Sequence, residues 1–206
     1  MRFPSVPRTV LVACLGLTLL AGGCGGSGGG MDHGNMGSSA PSSAAAPRPD
    51  ASNAADVTFA THMIPHHHQA ISMASMAESK ASTPEVKALA TRISRAQEPE
   101  ITTMSGWLKA WGAPVPEAGG THHGGTGDHA PGMMTEQEMA QLTAATGKDF
   151  DKMFLEMMIK HHDGAVEMAK TEQQQGTDPA VKQLAGQIAT SQTAEITEMR
   201  GLLAKL

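Results

Sequence analysis

The chain has 206 residues, a formal net charge of −5, ten His and fifteen Met, but only two Cys. Its acidic balance argues against nucleic acid as a partner. With so few cysteines, any metal site must rely on His, Met and carboxylate side chains.

Residues 1–23 have the pattern of a signal peptide. Arg2 and Arg8 precede a short apolar run, which is too short for a permanent membrane helix. Small residues then lead into Cys24, which is typical of a bacterial lipoprotein signal. We therefore expect Cys24 to be lipidated and to become the mature N-terminus. The alternative is an ordinary secretory signal in which this Cys is incidental.

The mature chain would begin with a membrane tether. Cleavage before Cys24 removes two Arg, which changes the net charge from −5 to −7 and leaves no free thiol. Residues 24–55 are rich in Gly, Ser, Ala and Pro, a composition that predicts a disordered linker. The folded part should therefore start near residue 56, on the extracytoplasmic side of the membrane.

The folded part contains an internal repeat. Residues 56–109 align without a gap on residues 151–204, at a constant offset of 95. Besides apolar positions, the copies share His66/His161, His67/His162, Gln97/Gln192, Glu100/Glu195, Met63/Met158 and Met104/Met199. A repeat of this kind predicts two similar units that pack together.

Each repeat predicts two helices. Apolar residues recur at three- and four-residue steps, and Pro84 and Pro179 stand where a second helix would begin. No useful stretch alternates with a period of two, so we expect an all-α four-helix bundle made of two hairpins. The predicted segments are repeat one at 56–112, a long crossover at 113–148 with a short helix near 135–145, and repeat two at 149–206.

Hairpin register places the shared polar residues at one level. The first turn centres near Ser82, and a helix rises about 1.5 Å per residue, so His66 should lie level with residue 98. The neighbouring stripe residues are Gln97 and Glu100, with Met63 and Met104 one turn further from the hairpin loop. The second repeat gathers His161, His162, Gln192, Glu195, Met158 and Met199 in the same way.

Two interpretations of this polar layer are open. In the first, it binds a metal ion: the ligands would be His66, His67, His161 and His162, with soft sulfur from Met63, Met104, Met158 and Met199. Glu100 and Glu195 would be ligands or would orient the imidazoles, and Gln97 and Gln192 would support them. In the second, the same groups form a structural hydrogen-bond network. The duplicated His–Glu–Met set favours the metal site.

Met and His also occur in Gly-rich segments that have no core to fill. These residues are Met31, His33 and Met36 in the tether, and His122, His123, His129, Met133 and Met134 in the crossover. Thioether and imidazole ligands together favour copper, especially Cu(I). We expect these tracts to capture ions weakly and pass them inward. Compositional drift in a linker is the alternative.

Other chemistries fit the sequence less well. A di-iron bundle uses Glu-x-x-His on two helices, whereas Met63 and Met158 precede His66 and His161 at that spacing. The chain has neither a nucleophile-elbow motif nor a Gly-rich phosphate loop.

The doubled Met-Ile-x-His-His motif carries a family resemblance. The motifs Phe59-x-x-x-Met63-Ile64-Pro65-His66-His67 and Phe154-x-x-x-Met158-Ile159-x-His161-His162 resemble the domain-of-unknown-function 305 family of bacterial envelope proteins. The resemblance runs from about residue 56 to the C-terminus. It implies a ferritin-like bundle and, for some members, copper binding or copper tolerance, with His66, His67, His161 and His162 as candidate ligands. Gln69 departs from the twofold pattern, since the second copy has Gly164.

These observations predict a membrane-anchored, extracytoplasmic protein that binds copper for storage, buffering or delivery. Its partners would be the metal ion and, through Cys24, the membrane. A redox-active dimetal enzyme is one alternative, and oxygen uptake on metal loading would reveal it. A structural or adaptor bundle without metal is the other.

Overall fold

The computed structural model describes residues 51–117 and 130–206. They form the helices α1 (Ala54–Lys80), α2 (Pro84–Ala110), α3 (Glu136–Ala144), α4 (Gly147–Gln175) and α5 (Pro179–Leu203). These two ranges contain no β-strand, so the all-α bundle is confirmed. The expected signal peptide, Cys24 and most of the tether lie outside the described residues, as do Met31, His33, Met36, His122, His123 and His129.

Local sequence explains where the long helices begin. Asn53 caps α1 by accepting a bond from the backbone N–H of Ala55 at 2.8 Å, and Asp56 in turn accepts a bond from the backbone N–H of Asn53 at 2.6 Å. This reciprocal pair satisfies donors that a helix leaves open at its start. Pro84 and Pro179 are the first residues of α2 and α5, where a missing N–H costs nothing.

The four long helices pack around two apolar clusters, one toward each end of the bundle. The first cluster includes Met73, Leu89, Ile93, Phe150, Phe154, Met158 and Met199. The second includes Phe59, Met63, Met104, Leu108, Ala165, Val181 and Ile188. The start of α1 therefore shares a cluster with the end of α4, so these two helices run antiparallel.

The two hairpins are interlocked by a pair of aspartates that are counterparts in the repeat. Asp151 on α4 accepts bonds from the backbone N–H groups of Ser82 and Thr83, at 2.8 and 3.0 Å, in the turn of the first hairpin. Asp56 on α1 does the same in the second hairpin, for Thr177 at 3.2 Å and Asp178 at 3.1 Å. Each hairpin thus completes the turn of the other.

The crossover supplies the short helix α3, close to its predicted position. It is tied to α1 by a bond from Lys80 to the carbonyl of Thr143, and to α4 by the Lys160–Glu138 ion pair at 2.8 Å. Within the described parts of the chain, no helix has the length and apolarity needed to cross a lipid bilayer.

Candidate metal centre

A polar layer separates the two apolar clusters. Each long helix contributes to it at the point where the helix passes from one cluster to the other. Its members are His66 and His67 on α1, Gln97 on α2, His161 and His162 on α4, and Gln192 on α5. All four histidines are 0% exposed. The predicted common level of these residues is therefore present in the fold.

The two histidines of each pair face different neighbours. His66 and His161 meet across the contact between α1 and α4, with ring centroids 3.6 Å apart and planes inclined by 38°. His67 and His162 instead turn into their own hairpins, toward Glu100 and Glu195. Both members of a pair are consequently buried, although they lie about 100° apart around the helix.

The two glutamates are placed to orient imidazoles. Glu100 Oε2 lies 2.6 Å from His67 Nε2, and Glu195 Oε2 lies 2.6 Å from His162 Nε2. A carboxylate accepts hydrogen bonds, so in each pair Nε2 is the donor, and Nδ1 is the ring nitrogen without a partner. This arrangement of carboxylate, imidazole and free ring nitrogen is common behind metal-binding histidines.

His66 is held in the same protonation pattern by a different acceptor. Its Nε2 lies 3.0 Å from the backbone carbonyl of Pro131, in the crossover. A carbonyl can only accept, so His66 Nε2 donates and Nδ1 is left as the lone-pair nitrogen. Neither ring nitrogen of His161 makes a hydrogen bond of normal geometry with the described residues.

Burial keeps the central imidazoles neutral. Removal from water, reinforced by neighbouring His67, lowers the pKa of His66 from 6.5 to about 3. Burial also lowers the pKa of His161 well below 6.5, and the other three histidines act in the same direction. At neutral pH both rings therefore keep a lone pair that can bind a metal ion.

Several polar atoms in the layer have no partner among the described residues. They are Nδ1 of His66, His67 and His162, both ring nitrogens of His161, both amide atoms of Gln97, and Oε1 of Gln192. Each unpaired buried polar atom costs about 1–3 kcal/mol. Among the described residues, the side-chain amide of Gln97 and Oε1 of Gln192 therefore form no hydrogen bond to the histidines. Apart from the two His–Glu bonds, the layer therefore contains several nitrogen and oxygen atoms that have no hydrogen-bond partner in the described parts of the chain.

The predicted sulfur ligands lie on both sides of this layer. Met63 and Met104 belong to the second cluster, and Met158 and Met199 to the first, as their register predicts. All four are 0% exposed. In the crossover, Met133 is half-buried, and Met134 is buried in the first apolar cluster. The expectation that Met134 lies in a segment without a core to fill is therefore wrong.

The contacts of Pro131 and Gln69 at the site were not predicted from the sequence, although Met134 was named there as a candidate ligand. Gln69 binds the backbone of Met134 twice, through Nε2 at 2.8 Å and Oε1 at 2.7 Å, next to the Pro131 contact with His66. The available signal was the replacement of Gln69 by Gly164 in the second copy. That break in the repeat marks where the crossover lies against the bundle.

The fit of the layer to a metal ion depends on its unpaired nitrogens. In ranges 51–117 and 130–206, no three His, Cys, Asp or Glu side chains already converge as ligands. One buried layer nevertheless contains the unpaired Nδ1 atoms of His66, His67 and His162 and the unpaired ring nitrogens of His161. Binding of one ion by several of these rings would therefore require the rings to change their orientation.

Known proteins share this fold. CopM, solved in a Cu(II)-bound form, is 38% identical with a TM-score of 0.63, and the match covers 73% of this chain and 96% of CopM. CopM has also been solved in Cu(I)-bound and Ag-bound forms. A DUF305 protein from Streptomyces coelicolor, named as a candidate secreted protein, is 35% identical with a TM-score of 0.66; the match covers 73% of this chain and 91% of that chain.

One curated relative matches a shorter stretch. An uncharacterised protein of Acanthamoeba polyphaga mimivirus is 45% identical over 53 residues, which is 26% of this chain and 35% of that protein. The chain thus spans about a third of that relative's length. The family model described as "Domain of unknown function (DUF305)" matches residues 56–203, most of the chain. The chain therefore belongs to the DUF305 family.

Proposed function

We propose that this protein binds copper in the layer of four buried histidines and stores, buffers or delivers the ion. The observation that carries the proposal is the state of the ring nitrogens. His66, His67 and His162 each anchor Nε2 to a fixed oxygen and leave Nδ1 without a partner. Metal-binding histidines are oriented in this way, because the outer hydrogen bond fixes the tautomer and the ring direction.

A structural network explains these nitrogens less well. Buried polar groups that only set helix register normally satisfy one another, since each unpaired atom costs stability. Here the His–Glu pairs are closed, but five ring nitrogens and three amide atoms of the layer remain unpaired among the described residues. An ion bound at those nitrogens would offset the cost of burying them.

The donor set favours a soft or borderline ion. Neutral imidazole suits copper, and thioether selects Cu(I) over harder metals. Met63, Met104, Met158 and Met199 lie on both sides of the histidines. CopM has been solved with Cu(I), Cu(II) and silver, and the match to this chain covers 96% of CopM in its Cu(II)-bound form. Harder iron would require more carboxylates, and the two glutamates at this level are bonded to His67 and His162.

The proposed location is the extracytoplasmic face of the cell membrane. Its support is the signal pattern at 1–23, the Cys that follows it, and the Gly/Ser/Ala/Pro-rich segment at 24–55. The Streptomyces coelicolor relative is likewise named as a candidate secreted protein. A short His/Met-rich tether and crossover would then collect ions outside the cell and transfer them to the bundle.

Anaerobic Cu(I) titration against a competing chelator tests this function. The test variant is His66→Leu with His161→Leu, which fills the space of the facing rings with apolar side chains. The matched control is His62→Leu with His68→Leu, on the same α1 helix but outside the buried layer. We expect the first pair to lose tight binding and the second to keep it. Unchanged affinity in the first variant, with helical content intact by circular dichroism, would reject the site.

A further inference from the structure

Residues 130–134 form a strap that contacts the histidine layer at His66. The strap is held to α1 by three hydrogen bonds: His66 Nε2 to the Pro131 carbonyl at 3.0 Å, Gln69 Nε2 to the Met134 carbonyl at 2.8 Å, and Met134 N to Gln69 Oε1 at 2.7 Å. Gln69 thus binds the backbone of the strap through both polar atoms of its side-chain amide.

Two glycines allow the strap to touch α4. Gly132 has φ +79°, and a Cβ there would lie 2.5 Å from the backbone carbonyl of Lys160. A Cβ at Gly164 would collide with the carbonyl of Pro131. A side chain at either position would therefore push the strap away from the helix, and the close backbone approach is available only to glycine.

The strap removes the twofold equivalence of His66 and His161. Gln69 and Gly164 are counterparts in the repeat. Gln69 on α1 forms hydrogen bonds to the strap, and Gly164 on α4 has no side chain that would collide with it. The Pro131 carbonyl consequently fixes His66 with hydrogen on Nε2, whereas His161 makes no hydrogen bond of normal geometry among the described residues. The strap therefore orients one ring of the facing pair through a hydrogen bond and leaves the other, equally buried ring without such a bond.

Pro131 also lines an open groove. A groove of about 380 Å³ lies between α1 and α4 and is lined by Pro131 together with His62, Glu167, Met168 and Glu172. The same residue therefore contacts the groove and, through its carbonyl, holds His66. None of the four buried histidines lines the groove, whereas Pro131 of the strap does.

We propose that Gln69 is a positioning residue of the metal centre, which acts through the strap. By holding Met134, it keeps the Pro131 carbonyl on His66, selects the Nε2–H tautomer of that ring, and closes the groove side of the His66–His161 pair. Metal exchange at this pair then requires the strap to be displaced. The inference rests on the proposed function for its metal step, but the tautomer selection is a property of the metal-free protein.

The first test is long-range proton–nitrogen NMR of the histidine rings in the metal-free wild-type protein at neutral pH. We expect His66 to give a single Nε2–H form, and Gln69→Ala to convert it into a mixture of tautomers. A wild-type His66 with hydrogen on Nδ1 overturns the proposal without any variant, so the test survives a Gln69→Ala protein that does not fold. Because no metal is present, this result is independent of whether the protein binds copper.

The second test is the rate at which Cu(I) passes from the loaded protein to excess chelator. Gln69→Ala should speed release by about tenfold or more, since a lost orienting bond commonly weakens a site by 10–100-fold. Gln69→Glu keeps the acceptor for Met134 N, so its release rate should lie between those of the wild type and Gln69→Ala. The control Lys160→Gln breaks the exposed tie between α4 and Glu138 and should change the rate by less than about twofold. A wild-type release rate in Gln69→Ala overturns the proposal, whereas failure of the wild type to load rejects the proposed function instead.

Discussion

His66 and His161 are 95 residues apart in the chain, yet their ring centroids lie 3.6 Å apart. Each belongs to a different copy of the repeat and to a different hairpin. The centre of the layer therefore exists only when the two hairpins are packed together. The crossed bonds of Asp56 and Asp151 hold the hairpins in that arrangement.

Removing the charge behind an imidazole should weaken copper binding. Glu100→Gln and Glu195→Gln each keep an oxygen near the ring but lose the negative charge that raises its basicity. We expect each to lower Cu(I) affinity by about 10–100-fold, measured by chelator competition. Glu98→Gln, at an exposed position of α2, is the matched control. An effect at only one of the two glutamates would contradict their equivalent roles.

The metal-free protein should lose stability in mild acid. Burial lowers the folded-state pKa of His66 from 6.5 to about 3 and that of His161 well below 6.5, so the unfolded chain binds protons first. The stabilising contribution is complete above pH 6.5 and is lost as the pH falls below it. At pH 5, protonation of His66 in the unfolded chain should by itself lower the free energy of unfolding by about 2 kcal/mol. Urea denaturation at pH 7.5 and 5 measures this loss. If His66→Leu lost as much stability between these two pH values as the wild type, the assignment to His66 would be contradicted.

A buried acid at one end of the bundle should oppose stability at high pH. Burial, together with neighbouring Asp56, raises the pKa of Glu172 from 4.5 to about 8. Its protonated form stabilises the fold fully below pH 4.5, and this contribution is lost as the pH rises through about 8. Glu172→Gln should therefore raise the free energy of unfolding by about 2–4 kcal/mol at pH 8.5 and by much less at pH 5. Glu167→Gln, which is exposed, is the control, and equal effects at both pH values would refute the prediction.

The crossed aspartates should contribute strongly to stability. Asp151→Ala leaves the backbone N–H groups of Ser82 and Thr83 without their acceptor, and Asp56→Ala does the same for Thr177 and Asp178. Each change should lower the free energy of unfolding by about 2–4 kcal/mol. Chemical denaturation measures it, with the exposed Asp149→Ala as the control. A loss below that of the control would show that the turns do not depend on these contacts.

The histidines of the crossover should add capacity and not affinity. Replacing His122, His123 and His129 by Ser should reduce the number of weakly bound Cu(I) ions while the tight constant stays unchanged. Stoichiometry and competition measurements separate the two effects. A fall in tight affinity would show that the crossover contributes ligands to the core.

Much of the fold follows from the sequence because it depends on local geometry. The repeat and its apolar stripes predict four long helices, and the constant rise of a helix places Gln97 and Glu100 level with His66. The structure contains that layer, with methionines of the predicted register on both sides. The assignment of these residues as copper ligands remains a prediction.

Other features depend on how the hairpins meet, which no local period encodes. Packing decided that His66 faces His161 while His67 and His162 turn to their own glutamates. The path of the crossover decided that the carbonyl of Pro131 reaches His66. Gln69 on α1 binds the crossover backbone, and Gly164 on α4 leaves room for it. Sequence alone therefore determined the helices and the level of the polar residues, through helical period and register. Only the tertiary structure decided which ring nitrogens are occupied and which are free to bind an ion, because those contacts join segments that are distant in the chain.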